Sequence, residues 1–251
     1  MLGERDPRFV AAIAPAFAFI AKHYLRLQVE DAHHLRTRPA LIVANHNGGI
    51  AGPDLICTLS TLWQTLGTET PSYALAHDFV MRQVPALGSV FARAGALRAT
   101  RESARAALDA GASCLVYPGG DLEAYRLWSQ RNRVIFGERT GFVAVAQELG
   151  VPIVPLVAAG AHRSAMIFSE GKRIARALQM KSWARLERFP IAFALPWGVA
   201  LGPWAPYLPL PFPIRLRALP PVVIPRGADP SAAREDIRVR MQRALDEMLH
   251  E

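Results

Sequence analysis

From residue 38 onward, short apolar runs alternate with longer stretches that have the periodicity of helices. Glycine or proline marks the end of several of these segments, as is common at element boundaries. Strand–helix alternation is typical of a mainly parallel sheet with helices on both faces. The sequence therefore predicts an α/β fold. The predicted strands lie at 40–44, 95–98, 113–117 and 153–158, and the predicted helices at 53–66, 100–108, 141–149 and 231–250.

The loops that follow the predicted strands indicate where a site would form. In a parallel sheet, the loops at the carboxyl ends of the strands meet at one edge and bind ligands. In this chain these loops contain His46, Arg98 and Asp121. We therefore expect these three residues to lie close to the site.

The loop after the first predicted strand is the most informative one. Residues 45–54 read Asn-His-Asn-Gly-Gly-Ile-Ala-Gly-Pro-Asp. Glycines allow a substrate to approach the backbone closely. Asp54 can bond one ring nitrogen of His46, which fixes the tautomer and leaves the other nitrogen as a base. A lone loop histidine is more often structural, but the glycines and the nearby carboxylate favour a catalytic pair.

Two further loops carry charged residues. Arg98 ends a short strand, and its planar guanidinium suits a phosphate or a carboxylate. Residues 117–126 read Tyr-Pro-Gly-Gly-Asp-Leu-Glu-Ala-Tyr-Arg, which places two carboxylates and an arginine beside a tight turn. From chemistry alone, a functional and a structural role for Asp121 and Glu123 are equally well supported.

Together these segments resemble the phospholipid/glycerol acyltransferase family. The blocks follow in the family's order: a histidine with an aspartate, a glycine with an arginine, a proline–glycine turn after a strand, and Val-Pro-Ile-Val-Pro at 151–155. The resemblance covers residues 38–161, with a looser similarity at 208–221. It implies a glycerol-3-phosphate acyltransferase-like fold. It also implies an enzyme that moves a fatty acyl group from acyl-CoA or acyl carrier protein to a glycerolipid or lysophospholipid hydroxyl.

Two departures from the common family pattern point to a subset of the family. Seven residues separate His46 from Asp54 instead of four, and Ala51 stands where the usual spacing would place the carboxylate. The third block, Pro-Gly-Gly at 118–120 with Glu123, resembles the diacylglycerol and phytol-ester acyltransferase branch. That branch likeness makes a phosphate-bearing acceptor less expected.

The resemblance also implies roles for individual residues. His46 would be the general base and Asp54 would orient it. Because a thioester is already activated, the reaction needs no metal and no cofactor beyond the acyl thioester. The expected substrate-binding residues are Asn45, Gly48, Gly49, Gly95, Arg98, Gly119, Gly120, Asp121, Glu123, Arg126 and Arg139.

Charge and motif content limit the alternatives. The net charge of +8 favours anionic partners but does not distinguish lipid from nucleic acid. No Gly-x-Ser-x-Gly elbow or Walker loop occurs, which argues against a serine hydrolase and a nucleotide-triphosphate enzyme. No nucleic-acid-binding signature occurs either. Two alternatives stay open: an inactive lipid-binding relative of the same fold and a basic nucleic-acid-binding module.

Two segments predict contact with an anionic membrane surface. Residues 9–21 form an apolar run, so residues 1–26 are expected to be an amphipathic interfacial helix ahead of an acyltransferase domain at 27–251. A helix simply packed on the domain is the alternative. Residues 189–214 contain seven prolines and no charge, and follow a basic segment, as expected for an apolar, irregular loop at a lipid surface. The alternative is a buried proline-rich excursion that packs on its own domain. We expect a peripheral (monotopic) protein on the cytoplasmic face of a membrane, with no signal peptide. The sequence leaves the oligomeric state open.

Overall fold

The computed structural model describes residues 4–47, 52–77, 85–184, 186–202 and 210–251. The helices are α1 (Pro7–Phe19), α2 (Pro53–Leu66), α3 (Pro85–Arg93), α4 (Arg101–Asp109), α5 (Gly120–Ala124), α6 (Gly141–Leu149), α7 (Lys172–Ala177), α8 (Met180–Trp183) and α9 (Pro230–His250). The strands are β1 (Gln28–Glu30), β2 (Leu41–Ala44), β3 (Ser72–Ala76), β4 (Ala96–Arg98), β5 (Ser113–Val116), β6 (Ile153–Ala159), β7 (Met166–Ser169), β8 (Ile191–Ala194), β9 (Gly198–Leu201) and β10 (Arg215–Ala218).

The main sheet has seven strands in the order β1-β10-β6-β2-β5-β3-β4. Every neighbouring pair is parallel except β10 with β6. The prediction of a mainly parallel sheet flanked by helices is therefore confirmed. Because β6, β2, β5, β3 and β4 run in one direction, the loops after them open at a common edge.

The alternation of side chains along β2 shows why the sheet is covered on both faces. Leu41 and Val43 belong to one buried cluster, and Ile42 and Ala44 belong to another. Successive strand residues point to opposite faces, so a fully apolar strand requires cover on both sides. Helices α4, α6 and α9 cover the first face, and α2 covers the second.

The last helix packs as its periodicity predicts, except near its end. Ile237, Met241 and Leu245 are buried, but Leu249, which was expected on the same face, is 37% exposed. Each step of four residues advances about 40° around a helix of 3.6 residues per turn, so the fourth member has turned away from the core. Met248 takes its place in the core.

The N-terminal segment packs on the rest of the chain. Asp6 caps α1 by accepting hydrogen bonds from the backbone N–H groups of Arg8 and Phe9. The rings of Phe17 and Trp63 lie 5.1 Å apart, which joins α1 to α2. The interfacial role of this helix and a domain boundary at residue 26 stay predictions. Among the described residues, no helix combines the length and the apolar character needed to cross a bilayer.

The proline-rich segment differs from the irregular loop that was expected. Part of it forms β8 and β9, which join β7 in a second, antiparallel sheet of three strands. Between these two strands, Pro196 and Gly198 allow the chain to reverse direction, since glycine tolerates the φ of +82° found there. Residues 203–209 lie outside the described part.

Candidate active site

His46 and Asp54 form a direct pair at the carboxyl-end edge of the sheet. His46 follows β2, and Asp54 lies in the first turn of α2. Nδ1 of His46 lies 2.8 Å from Oδ2 of Asp54, which is completely buried. The same oxygen accepts a hydrogen bond from the backbone N–H of Asn47 at 2.7 Å. The carboxylate therefore holds both the ring and the loop that carries it.

The pair is electrostatically coupled. Burial lowers the pKa of His46, but the charge and hydrogen bond of Asp54 outweigh it, and the pKa rises above the ordinary value. Burial opposes ionisation of Asp54, but the charge and hydrogen bond of His46 and the N–H of Asn47 bring its pKa below the usual range. Asp54 is therefore ionised near neutral pH. A carboxylate on Nδ1 leaves Nε2 of a neutral His46 as the proton acceptor.

Glu123 and Arg126 form a buried frame behind His46. One carboxylate oxygen of Glu123 accepts the backbone N–H of His46 at 2.7 Å, and the other accepts that of Ile135 at 2.9 Å. Arg126 donates to the carbonyl of His46 at 2.6 Å and to that of Arg131 at 2.8 Å. The backbone of His46 is thus fixed on both its N–H and its carbonyl. Burial raises the pKa of Glu123 to about 7, although the charge of Arg126 opposes this.

Glu123 and Arg126 were expected to bind substrate. Both side chains are completely buried and are bonded to the chain itself. Direct substrate contact by either residue stays a prediction. The structure shows both residues in a framework that fixes the backbone of the loop carrying His46.

Two asparagines tie the loop of His46 to the neighbouring strand β6. Asn45 exchanges two hydrogen bonds with the backbone of Ala158, at 3.0 and 2.7 Å. Asn47 donates to the same carbonyl at 2.8 Å and accepts the backbone N–H of His162 at 2.9 Å. Asn45 is therefore a buried anchor of the loop, and its expected contact with substrate stays a prediction.

The Pro-Gly-Gly turn fits its surroundings only with glycine at position 119. A Cβ there would lie 2.3 Å from the carbonyl oxygen of Ile135 and 2.5 Å from the side chain of Glu123. At Gly120, where φ is +47°, a Cβ would lie 2.5 Å from the guanidinium of Arg139. The turn of the third block therefore packs closely against the segment at Ile135, the side chain of Glu123 and the guanidinium of Arg139.

Asp121 and Arg139 form an ion pair at 2.8 Å beside this turn. Arg139 also donates to the carbonyls of Pro118 and Gly119, and its side chain is partly exposed. The second carboxylate oxygen of Asp121 accepts the backbone N–H of Glu187. Arg139 thus combines a structural contact with an exposed guanidinium.

A cavity of about 290 Å³ opens beside His46. Its wall is formed largely by small or apolar side chains from α2, β3, β4 and the turn after β5. Its polar lining comes from His46, His77, Asp121 and Arg139. A mostly apolar cavity with a few convergent polar groups is the usual form of a small-molecule site. The apolar lining includes Leu55, Leu59, Ala74, Ala76, Phe91, Ala94, Ala96, Ala99, Ala124 and Leu186.

A second cavity of about 370 Å³ shares the wall residues Tyr117, His77 and Arg139 with the first. It is also lined by Arg101, and by Gly141 at the start of α6. The helix N-termini of α4 and α6 meet here, and exposed helix N-termini favour negative charge. This neighbouring space is therefore suited to an anionic or strongly polar group.

The remaining predicted residues lie at β4 or outside the described part. Gly48 and Gly49 belong to the undescribed residues 48–51. Gly95 has a φ of +99°, and a Cβ there would lie 2.8 Å from the carbonyl of Ser72, so it is required by backbone packing. Arg98 is exposed at the end of β4. Within the described ranges, no three His, Cys, Asp or Glu side chains cluster closely enough to hold a metal ion.

Sequence reasoning missed four residues of this region. Tyr117 stacks on His46 with ring centroids 4.8 Å apart, and its hydroxyl donates to Thr58. Arg101 and His77 line the cavities, and Asn47 anchors the loop. The signal for Tyr117 and Asn47 was their position within the motif blocks. For Arg101 and His77, only the tertiary structure reveals the proximity.

The fold and this site define an α/β acyltransferase with a histidine–aspartate pair. Residues 26–159 match the family described as Acyltransferase. The chain belongs to this family, so the expected enzyme class is confirmed at the level of the family.

The chain is also similar to individual proteins. An uncharacterized protein of Mycobacterium tuberculosis is 28% identical over 78% of this chain and 57% of its own length. Human diacylglycerol O-acyltransferase 2 is 26% identical over 60% of this chain and 40% of that protein. The chain thus spans about half the length of the curated relatives it matches.

A solved structure shares the fold. The 1-acyl-sn-glycerophosphate (LPA) acyltransferase PlsC of Thermotoga maritima superimposes with a TM-score of 0.59 at 16% identity, over 96% of this chain and 81% of that one. The prediction of an acyltransferase-type fold is therefore confirmed.

Proposed function

We propose that this protein is an O-acyltransferase that moves a fatty acyl group from an acyl thioester, acyl-CoA or acyl carrier protein, to a lipid hydroxyl. The observation that carries the proposal is the 2.8 Å His46–Asp54 pair on the wall of an apolar cavity. The pair supplies a base, and the cavity suits a hydrocarbon chain. The similarity to diacylglycerol O-acyltransferase 2 and the fold shared with an LPA acyltransferase support a glycerolipid acceptor.

In the proposed reaction, Nε2 of His46 removes the proton of the acceptor hydroxyl as its oxygen attacks the thioester carbonyl. Asp54 holds the ring through Nδ1 and stabilises the imidazolium that forms. The tetrahedral intermediate then collapses with cleavage of the carbon–sulfur bond. The departing thiolate takes the proton from His46, which restores the neutral base. No nucleophilic side chain is needed, because the thioester is already activated.

We further propose which parts of the site hold the substrates. The apolar cavity takes the acyl chain, and the alanines of β3 and β4 leave it room. The adjoining cavity takes a polar or phosphate-bearing end of a substrate, near Arg101 and Arg139. Glu123, Arg126, Asn45 and Asn47 act as positioning residues, since each is buried and bonded to the catalytic loop or its neighbours. The reaction takes place at the cytoplasmic face of a membrane, to which the protein binds peripherally.

An acyl-transfer assay tests the function. The purified protein is given radiolabelled acyl-CoA or acyl carrier protein in detergent, with lysophosphatidate, lysophospholipids, monoacylglycerol and diacylglycerol as acceptors. His46→Ala is expected to lose about 10²–10⁴-fold in turnover, because the general base is gone. His250→Ala, an exposed histidine at the end of α9, is the matched control and should retain full activity.

The outcomes separate the functions directly. Transfer that requires His46 establishes the reaction, and the preferred acceptor decides whether it bears a phosphate. Turnover of His46→Ala close to that of the unmodified protein would remove the catalytic assignment. Absence of transfer with every donor and acceptor would favour the inactive lipid-binding alternative.

A further inference from the structure

The outer face of the small sheet is apolar. Strands β7–β9 bury Ile167, Ala192 and Ala194 on their inner side. On the outer side, Phe193 pairs with Val199, and Ile191 pairs with Leu201. Antiparallel sheets that are covered on one side ordinarily place polar residues on the other. The apolar outer face is therefore expected to be covered by a binding partner or by lipid.

Exposed apolar side chains concentrate in this part of the molecule. Eight of the fifteen large apolar side chains that are exposed among the described residues lie within residues 166–202, whereas the other seven are spread from Phe19 to Leu249. A concentration of this kind marks an interaction site, while single exposed residues do not. The eight are Phe168, Ile174, Leu178, Trp183, Leu195, Trp197, Val199 and Leu201.

The connection between β7 and β8 is strongly basic. Residues 170–188 contain six Lys or Arg and two Glu, a net charge of +4, which is half the net charge of the chain. Lys172, Arg173, Arg176 and Lys181 are exposed on α7 and α8. Lys172 and Lys181 are each paired with a glutamate, at 2.6 and 2.9 Å. An excess of positive charge remains at this surface.

Apolar and basic residues occur together on these short helices. Ile174 and Leu178 lie among the basic residues of α7, and Trp183 ends α8 with half of its surface exposed. The apolar core of a protein–protein interface is depleted in charge. An anionic bilayer instead attracts basic residues to its headgroups and takes apolar side chains and tryptophan below them. Charge complementarity therefore favours a lipid surface over a protein partner.

The small sheet and the helices α7 and α8 adjoin the cavity beside His46. Tyr125 packs against the buried clusters of both the small sheet and α7–α8, and it also lines the cavity. Leu186 belongs to the second of these clusters and lines the cavity as well. A lipid surface bound here would lie close to the place where an apolar substrate enters.

We propose that the outer face of β7–β9, together with the basic helices α7 and α8, docks the protein on an anionic phospholipid bilayer. Val199 and Trp197 insert into the apolar part of the leaflet, and Arg173 and Arg176 bind the anionic headgroups. This assigns the membrane contact to a particular surface of the second sheet.

Vesicle flotation of the full chain tests the apolar half of the surface. Vesicles of phosphatidylcholine with and without phosphatidylglycerol are used in the absence of any acyl substrate, so binding is measured independently of the proposed reaction. Val199→Asp should weaken binding to the anionic vesicles about tenfold, because a charge replaces an inserted side chain. Val223→Asp is the matched control, since Val223 is 66% exposed and Val199 is 69% exposed, and Val223 lies outside this sheet. Equal binding by both variants would overturn the proposal.

The paired variant Arg173→Glu and Arg176→Glu tests the basic half. It should lose the preference for anionic vesicles while acyl transfer in detergent is retained, which shows that the fold is intact. A retained preference would overturn the assignment of the headgroup contacts. Sedimentation velocity tests the alternative that this face binds a second copy of the chain. If the unmodified protein is a dimer and Val199→Asp is a monomer, the face is a dimer interface and the membrane proposal is overturned.

Discussion

The position of His46 is set by groups from both near and distant parts of the chain. Asp54 fixes the ring, Glu123 and Arg126 fix the backbone, and Tyr117 packs on the ring. The side chain of His46 remains 23% exposed and lines the cavity, whereas Asp54, Glu123 and Arg126 are buried. Such an arrangement lowers the reorganisation that a proton transfer requires.

The raised pKa of His46 gives a testable pH dependence. The base must be neutral, so activity should rise with pH through a midpoint above the ordinary histidine pKa. In Asp54→Asn the stabilising negative charge is lost, so this midpoint should move to lower pH, and turnover should fall about 10²–10⁴-fold. The measurement is kcat/KM as a function of pH for both proteins.

The control for this variant is Asp236→Asn on the exposed side of α9. It removes the same charge without touching the site, and should leave both the midpoint and the rate unchanged. An unaltered pH profile in Asp54→Asn would show that Asp54 does not set the protonation of His46.

At the scale of elements, the site depends on two loops that hold each other. The loop after β2 carries His46, and the turn after β5 begins α5, which carries Glu123. These strands are neighbours in the sheet, with Leu41 opposite Cys114. Parallel pairing brings the two loops together, and Glu123 then bonds the backbone of one to the segment at Ile135. The backbone of His46 is therefore positioned by Glu123, whose place depends on the turn at residues 118–120.

Gly119→Ala is expected to disturb this turn. The φ of Gly119 is −65°, which any residue adopts, so the cost is the steric contact with the carbonyl of Ile135 and the side chain of Glu123. We expect a loss of about 1–3 kcal/mol in the free energy of unfolding, and a fall in activity because Glu123 is displaced from His46. Denaturant unfolding and the acyl-transfer assay measure the two effects.

Gly150→Ala serves as the comparison for that variant. No atom lies within 4 Å of the position of its Cβ, so its cost comes from a left-handed backbone alone, about 1–2 kcal/mol. Its activity should be normal. If both variants lose activity alike, the contact at Gly119 is not what positions the base.

For the molecule as a whole, the buried sheet sets the positions of the loops that carry His46 and Glu123. Both cysteines illustrate its packing: Cys57 and Cys114 are free and buried, and burial raises the pKa of each thiol to about 12. The two large clusters cover opposite faces of the same strands, and α9 closes one of them. Stability therefore depends in part on α9, which lines neither of the two cavities.

Leu245→Ala should reveal this dependence. Leu245 is fully buried on α9, and its truncation should cost about 2–5 kcal/mol of unfolding free energy through lost contacts and a cavity. Leu249→Ala is the same substitution at a partly exposed position and should cost less than about 1 kcal/mol. Thermal and denaturant unfolding give both values, and equal losses would contradict the packing of α9.

The local pattern of the sequence determined several of the elements and indicated the main pair. The observed helices at Pro53–Leu66 and Gly141–Leu149 have the predicted bounds, because apolar periodicity and glycine or proline at the ends are local signals. The pairing of His46 with Asp54 also followed from the chain, since the loop between them is short and the aspartate starts a helix.

Only the tertiary structure decided which charged residues face the cavity and which are buried behind it. Glu123 and Arg126 occupy the same motif as Asp121, yet they point into the interior because the turn at Gly119 packs on Ile135. The same holds for residues 191–201, whose apolar composition fits a loop or a strand until partners on β7 are in place. Composition and spacing describe what a residue can bond with, whereas burial and partner choice depend on segments brought together by the sheet.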